Sequence, residues 1–356
     1  MALPFLSGKK RDQVVSVDLG GRTTKAVQMQ RKGDRFELLS FAVMDAPIYE
    51  KTLTADLVSE HLKSILQALE AKTRVLALSV GVGDSVVRHA DLPQMPVSDM
   101  RQVLRNNTKN YLQQDLSRHA FDCHIIPPRN NAKTQDKTKP QAGPPKYRVL
   151  VAGAREQLLA DLQAAVKSAG ATIDMVAPGL VGPVNAFEMA MPEVFSKEVI
   201  ALVDIGFKNT TISILQEGDL LLSRVVAIGG DRMTTGLAEV LSISYAEAEG
   251  IKIGMPTEVQ TELEAIILPL GRELRASIDF YEHQNDRAVS RVYVSGGSSR
   301  SDLVMQMLQS ELMVDCLPWN PTTFLQPALP PQQMIEIEQV APQLAVAVGA
   351  AVATLS

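Results

Sequence analysis

The feature that most constrains the fold is an internal repeat. The stretch VVSVDLGGRTTKAV, which begins at Val14, returns as IALVDIGFKNTTISI, which begins at Ile200. Aligning the two copies pairs similar residues with one another, namely Asp18 with Asp204, Gly20 with Gly206 and Thr24 with Thr210. Each copy also reaches a Gly-Asp turn, at 33–34 and at 218–219. Self-similarity over this distance predicts two related units in one chain.

Both copies carry residues suited to a phosphate ligand. In each, an aspartate ends an apolar strand, glycine lets the backbone approach a ligand, and hydroxyl residues line the turn. Two such turns facing each other would hold a polyphosphate. The first turn contributes the candidates Asp18, Gly20, Gly21, Thr23, Thr24 and Lys25, and the second Asp204, Gly206, Thr210 and Thr211.

The two aspartates are the candidate metal ligands. Mg²⁺ bound together with phosphate keeps several waters and takes only one or two carboxylates. Asp18 and Asp204 fit that requirement. The alternative for a single copy is an ordinary boundary between strand and turn, and the duplication argues against it.

Two further glycine turns extend the candidate site. The segment 292–300, VYVSGGSSR, is an apolar strand running into a Gly-Gly turn, and it predicts a helix beginning near Ser301. We assign Gly296, Gly297 and Ser298 to the sugar and base side of a nucleotide. Gly229 and Gly230 form a fourth turn, for which a plain loop is an equal alternative.

Hydrophobic periodicity predicts an α/β chain. Two strands joined by a tight turn are expected over 14–28, and further strands at 36–43, 75–80, 85–92, 121–126, 147–152 and 172–176. Helices are expected at 54–72, from Ser98, at 155–169 and over 231–252. The polar stretch 127–145 is predicted to be a solvated loop. The apolar stretch 344–355 is shorter than the roughly 20 residues of a membrane-spanning helix, so it predicts a buried closing helix.

Composition excludes several classes of protein. A chain of 356 residues that is 46% hydrophobic exceeds one core, so two or more lobes are expected. The formal net charge of −5 argues against nucleic acid as a partner. Cys123 and Cys316 have no CxxC neighbour, which argues against disulfides and zinc and fits a reducing cytoplasm.

These turns resemble the phosphate and adenosine loops of the actin, hexokinase and heat-shock chaperone ATPase superfamily. Within it the chain is most similar to the PilM family, relatives of the cell-division protein FtsA. The resemblance is carried by LPQMP at 92–96, IGGD at 228–231, LSISYAEAEGIK at 241–252 and APQLAVAVG at 341–349. It implies a two-lobed actin-like fold, a duplicated ribonuclease H-like α/β fold, with an inserted α/β subdomain in the first lobe. Lobe I would comprise 1–80 and 154–197, the inserted partner-binding subdomain 81–153, and lobe II 198–356.

The resemblance also implies ligands and a partner. ATP or ADP with Mg²⁺ would lie between the lobes, and Glu249 and Lys252 would lie beside the adenosine, one helical turn apart. A surface ion pair is the alternative for these two residues. PilM-like proteins bind the cytoplasmic N-terminal tail of the inner-membrane protein PilN. The chain is therefore expected to be a cytoplasmic scaffold, peripheral at the inner membrane through that partner, in a type IV pilus or type II secretion-like machine.

Departures from the family pattern fall in the predicted subdomain. The helix after Met95-Pro96 reads RNNTKNYLQQ at 105–114, where the family commonly has acidic residues, so the sequence of the partner is expected to differ. The apolar face of this helix, with Met100, Val103, Leu104 and Tyr111, either lines a groove for the partner or closes its own small core.

Two other functions remain open from the sequence. A small-molecule kinase of the same superfamily would need a general base, and Asp174 and the five scattered histidines are poor candidates. An FtsA-like filament-forming protein would need its own membrane helix, which 341–356 does not resemble. We predict no catalytic residue, at most a slow ATPase, and leave self-association open.

Overall fold

A computed structural model describes residues 11–47, 54–127 and 145–356. Most of the loop predicted at 127–145 therefore lies outside the described residues. The strands are β1 Gln13–Asp18, β2 Thr23–Lys32, β3 Arg35–Asp45, β4 Val75–Val80, β5 Ser85–Pro93, β6 His119–Ile125, β7 Lys146–Arg155, β8 Thr172–Pro178, β9 Val199–Ile205, β10 Thr210–Gln216, β11 Asp219–Val226, β12 Arg291–Ser295, β13 Cys316–Pro318 and β14 Gln326–Pro327. The helices are α1 Ala55–Ala68, α2 Val97–Asn106, α3 Thr108–Leu112, α4 Glu156–Ser168, α5 Val181–Ala190, α6 Pro192–Lys197, α7 Gly230–Leu241, α8 Tyr245–Gly254, α9 Gln260–Asn285, α10 Asp302–Leu312, α11 Pro331–Val340 and α12 Ala345–Leu355.

Two of the three sheets share one topology. The first has the order β14-β3-β2-β1-β4-β8 and the second β11-β10-β9-β12-β13. In each, three antiparallel strands are followed by two that run parallel to the first of them. The duplication predicted from Val14 and Ile200 is therefore confirmed. We call each sheet with the helices packed on it the first and the second lobe.

The third sheet, with the order β5-β7-β6, lies between β4 and β8 along the chain. One of its faces packs against α2 and α3, and Met100 and Leu104 are fully buried there. Those two side chains therefore belong to the core of this sheet and cannot line a groove for a partner. Val103 and Tyr111 are half-buried.

Several helices differ from their predicted spans. The stretch 231–252, predicted as one helical region, is two helices, because Ser242 adopts a left-handed conformation with φ of 55° and Ser244 begins α8 with a capping box to Glu247. The helix expected from Ser98 begins at Val97 and breaks at Asn107. The longest helix, α9, was not predicted.

The C-terminal part of the chain returns to the first lobe. Strand β14 pairs with β3, and α12 packs against α5 and the strands of the first sheet. Nine of the eleven residues of α12 are buried, which confirms the predicted closing helix. By length and composition, one helical run among the described residues, Pro331–Leu355, could cross a membrane, and 56% of its most apolar window is buried inside the protein, as in a core helix. The division into 1–80 with 154–197, 81–153 and 198–356 stays a prediction.

Candidate functional site

The first predicted turn joins β1 to β2. Strand pairing places Asp18 opposite Lys25, and the Lys25 ammonium lies 3.8 Å from the Asp18 carboxylate. A Cβ added to Gly20 would lie 2.4 Å from the Thr23 carbonyl oxygen and 2.9 Å from Lys25 Nζ. Glycine is therefore required for the turn to fold this tightly over the lysine.

The second predicted turn has the same form. Asp204 lies opposite Thr211, and the Asp204 carboxylate accepts a hydrogen bond of 2.8 Å from the Ser295 hydroxyl of the neighbouring strand. The Gly206 N–H donates to the Asn209 carbonyl at 3.0 Å. A Cβ on Gly206 would lie 2.9 Å from that carbonyl oxygen, so the second turn also leaves no room for a side chain at this position.

The two aspartates lie close enough to affect each other electrostatically. Burial raises the pKa of Asp18 to about 6, the Lys25 ammonium opposes that shift, and the charge of Asp204 adds to it. Burial also raises the pKa of Asp204, while the Ser295 hydrogen bond and Lys25 oppose it. Two largely buried carboxylates that are both affected by the charge of one lysine form a site that a bound cation would stabilise.

The other glycine turns pack directly on the second turn. The Gly230 N–H donates to the Gly206 carbonyl at 3.0 Å, and a Cβ on Gly229 would lie 2.6 Å from the same oxygen. Gly296 has a φ of +91°, and a Cβ there would lie 2.4 Å from the carbonyl oxygen of Ile205. The next residues of that turn lie close to other parts of the chain. Ser298 Oγ lies 3.3 Å from a Cβ built on Gly230, and Gln343 Oε1 lies 4.0 Å from a Cβ built on Gly297.

Glu249 and Lys252 are the last two candidate residues of the site. Their side chains form an ion pair of 2.6 Å on α8, and Lys252 also donates to the Gly230 carbonyl at 3.3 Å and to the Thr234 hydroxyl at 2.6 Å. Burial alone would raise the pKa of Glu249, but hydrogen bonds from Lys252 and Thr234, with the charge of Arg22, hold it below its usual value. The pair is thus attached to a glycine turn, unlike an isolated surface ion pair.

Two predicted residues have hydroxyls that are already bonded to neighbouring elements. The Thr24 hydroxyl is bonded to His61 of α1 at 2.8 Å, and the Thr210 hydroxyl donates to the Ile228 carbonyl at 2.7 Å. These threonines are equivalent in the repeat, and both side chains are almost fully buried. Thr211 is also buried, and Thr23 is half-buried. Thr24 and Thr210 therefore stabilise the turns through hydrogen bonds to neighbouring elements.

Ser295 and Arg22 lie in the predicted loops but were not among the candidate site residues. Ser295 ends β12 opposite Asp204, and Ser79, one residue before the end of β4, lies opposite Asp18 in the same parallel register. The repeat therefore extends to LALSVG at 76–81 and VYVSGG at 292–297, a signal that was available in the sequence. Arg22 reaches Glu249 at 2.8 Å, a contact that no local pattern could indicate.

Candidate general bases for a kinase are bonded elsewhere. Asp174 forms an ion pair with Arg11 at 3.2 Å. Three of the histidines bond to main-chain carbonyls, His89 to Leu220, His119 to Ser117 and His283 to Asp279. Across the described ranges, no group of three or more histidine, cysteine or acidic side chains is placed to hold a metal ion.

The fold has known counterparts. A chain of a PilM-PilN type IV pilus biogenesis complex is similar at a TM-score of 0.82 and 20% identity, covering 98% of this chain and all of that one. MreB5 of Spiroplasma citri bound to AMPPNP is similar at a TM-score of 0.50 and 10% identity, covering 96% and 95%. At these identities the likeness shows the fold alone, and it confirms the two-lobed actin-like architecture.

Sequence relatives agree with the fold. Cell division protein FtsA of Bacillus subtilis (strain 168) is 23% identical over 254 residues, which are 67% of this chain. The matched part spans 57% of that FtsA. The family model for the type IV pilus assembly protein PilM matches residues 16–355, nearly the whole chain. The chain therefore belongs to the PilM family of type IV pilus assembly proteins.

Proposed function

We propose that this protein is a cytoplasmic, actin-like scaffold of a type IV pilus or type II secretion-like machine, and that it holds ATP or ADP with Mg²⁺ between its lobes. The observation that carries the nucleotide proposal is the pair of equivalent turns. Each has a largely buried aspartate at the end of a central strand or one residue before it, and Lys25 lies near both carboxylates. MreB5 of Spiroplasma citri, which shares the fold, binds AMPPNP.

In this proposal each turn has its own role. The tight turns at Gly20, Gly21 and Gly206 let the phosphates approach the backbone, and the Lys25 ammonium binds them. Asp18 and Asp204 bind Mg²⁺ directly or through water, as a cation shared with phosphates requires. The adenosine is contacted by Glu249, Lys252 and the turns Gly229–Gly230 and Gly296–Ser298.

The magnesium proposal is supported by the chemistry of the buried carboxylates. Ionising Asp18 is unfavourable because of burial and the charge of Asp204. A divalent cation beside both groups would remove that penalty, since it offers the positive charge that the surroundings only partly supply. Mg²⁺ bound with phosphate needs no third carboxylate.

A thermal-shift titration tests the nucleotide proposal. Millimolar ATP with Mg²⁺ should raise the melting temperature by mass action, and Asp204→Asn should remove most of that shift. Asp302→Asn, an exposed aspartate at the start of α10, is the matched control and should keep it. A folded wild-type protein with no magnesium-dependent shift would refute the proposal.

The partner is proposed to be the cytoplasmic N-terminal tail of a PilN-like inner-membrane protein. A PilM-PilN complex is known for a protein of the same fold. We place the docking site where the third sheet meets the first lobe, beside the half-buried Val103 and Tyr111. An extended peptide can gain affinity there from a few side-chain pockets and main-chain pairing.

Peptide titration tests this docking site. A fluorescent peptide with the PilN tail sequence from the same genome should bind the wild type, and Tyr111→Ala should weaken binding about tenfold because an aromatic anchor is lost. Phe280→Ala, an exposed aromatic on α9, is the control and should bind as the wild type does. Equal affinity of all three proteins would place the site elsewhere.

The proposed location follows from the partner. The protein should sediment with inner membranes when the PilN-like protein is present. It should move to the soluble fraction when that gene is deleted. Membrane association that persists without the partner would contradict a peripheral attachment of this kind.

A further inference from the structure

Arg22 belongs to the first turn by sequence, but its described side-chain contacts are in the second lobe. Its guanidinium lies 5.7 Å from the centre of the Phe207 ring and 2.8 Å from Glu249 Oε1. Gly21 lies at the same junction, since a Cβ built on it would be 3.6 Å from the Phe207 ring. The two glycine turns therefore touch each other across the cleft through Arg22 and Phe207.

The acceptor of this contact is held in a fixed position. Glu249 Oε2 accepts hydrogen bonds from Thr234 and from Lys252, the latter at 2.6 Å, so Oε1 is left to face Arg22. The Glu249 side chain is only 15% exposed, whereas that of Arg22 is 43% exposed. The arginine is thus the mobile partner and the carboxylate the rigid one.

An ordinary surface ion pair would contribute little, because solvent screens it and both side chains lose freedom. Three observations separate this pair from that case. The two residues belong to different lobes, the carboxylate is already ordered by other donors, and an aromatic ring lies near the guanidinium at a distance suited to cation–π attraction. The contact remains modest in strength, as suits one that opens and closes.

We propose that Arg22, Phe207 and Glu249 form a gate between the lobes that limits the rate at which nucleotide enters and leaves. The proposal rests on the proposed nucleotide function. The lobes cannot separate at this point without breaking the Arg22 to Glu249 bond. Arg22 is a positioning residue here, because it controls opening of the lobes and does not contact the nucleotide. It should therefore change exchange rates more than affinity, since the nucleotide keeps the same contacts in the bound state.

Nucleotide exchange is the first test, with Arg22→Ala and fluorescent mant-ADP in stopped flow. We expect association and dissociation each to be at least about threefold faster than in the wild type, with a dissociation constant changed by less than that. Arg22→Lys keeps a cation and should lie between the two. Arg232→Ala, an exposed arginine that pairs with Glu239 inside α7, is the matched control and should exchange as the wild type does.

A distance measurement tests the gate without nucleotide. Spin labels at Glu60→Cys on α1, 73% exposed, and Ile253→Cys on α8, 69% exposed, report on the separation of the lobes, and the native Cys123 and Cys316 are buried. Arg22→Ala should broaden the distribution toward longer distances. A distribution identical to that of the wild type would overturn the gate. A wild type that binds no nucleotide would refute the proposed function. The distance distributions would then decide only whether Arg22 holds the two lobes together.

Discussion

At the scale of single residues, the two repeated aspartates share a position but not their surroundings. Asp204 accepts a hydrogen bond from Ser295, whereas the equivalent hydroxyl of Ser79, beside Asp18, is buried without a hydrogen-bond partner in the part of the chain that is described. Asp18 therefore lacks the hydrogen bond that Asp204 accepts, and the Lys25 ammonium at 3.8 Å only partly offsets its burial, since its pKa is still raised. This difference should be visible in stability because burying a charge is unfavourable unless it is paired.

Asp18→Asn is expected to stabilise the protein in the absence of nucleotide. The wild-type pKa moves from 3.8 to about 6, which corresponds to at most about 3 kcal/mol of unfavourable ionisation above that pH. Urea unfolding at pH 7.5 should show a gain of about 1–3 kcal/mol. The same variant should lose magnesium-dependent nucleotide binding, so that stability and function trade against each other.

The effect of Asp18→Asn on stability should depend on pH. Between 3.8 and about 6 folded Asp18 keeps a proton that the unfolded chain has released, so wild-type stability falls as the pH rises through that window. The gain of Asp18→Asn should be absent near pH 4 and complete above about pH 7. Asp204→Asn, which replaces the charged acceptor of the Ser295 hydrogen bond with a neutral amide oxygen and so weakens that bond, should gain less. An equal gain at both pH values would contradict this explanation.

At the scale of elements, the crossing of α5 and α12 fixes the centre of the first lobe. A Cβ on Gly349 would lie 1.8 Å from the Gly182 carbonyl oxygen, and one on Gly182 would lie 2.7 Å from the backbone of Val346. The helices can approach this closely only because both positions lack a side chain. The predicted closing helix is thus held by two glycines that hydrophobic periodicity does not identify.

Gly349→Ala is expected to destabilise the fold by at least about 2 kcal/mol, because the helices must move apart and the loss of close packing spreads through the buried face. Gly250→Ala is the matched control, since it lies in α8 with no atom within 4 Å of an added Cβ. It should gain about 0.5–1 kcal/mol from helix propensity. Denaturant unfolding compares the two, and effects of the same sign would contradict the packing argument.

The sequence predicted elements better than it predicted side-chain directions. Strands and glycine turns follow local apolar runs and breaks, so both copies of the repeat and the helix after Ser301 were found. The direction of the Thr24 and Thr210 side chains was not predicted, because it depends on which face of a strand each residue occupies. The break at Ser242 was missed because a left-handed serine gives no periodic signal.

At the scale of the whole molecule, what could not be predicted is how the lobes meet. The contact of Arg22 with Glu249 joins residues far apart in the chain, and no local spacing indicates it. No local spacing indicates the hydrophobic core that the three sheets share either. A single buried cluster includes residues of the first sheet, the third sheet, the second sheet, α5 and α12, for example Val27, Leu150, Leu202, Val184 and Val348.

Phe187 lies where these layers join. It is fully buried on α5, its ring centre is 4.8 Å from that of Tyr293 in the second sheet, and it is 5.1 Å from that of Trp319. A core shared in this way links the stability of the two lobes. The protein should therefore unfold as one cooperative unit, although a chain of this size could contain two independently unfolding units.

Phe187→Ala is expected to lower the stability of both lobes together, by about 3–5 kcal/mol, because it leaves a large cavity between the sheets. Trp319 is the single tryptophan of the chain, so its fluorescence reports the junction, while far-UV circular dichroism reports the helices of both lobes. In urea the two transitions should coincide in the wild type and shift by the same amount in the variant. Phe280→Ala, whose side chain is 55% exposed, should move neither by more than about 0.5 kcal/mol. A variant in which fluorescence shifts while part of the helical signal keeps its wild-type midpoint would mean that the lobes unfold independently.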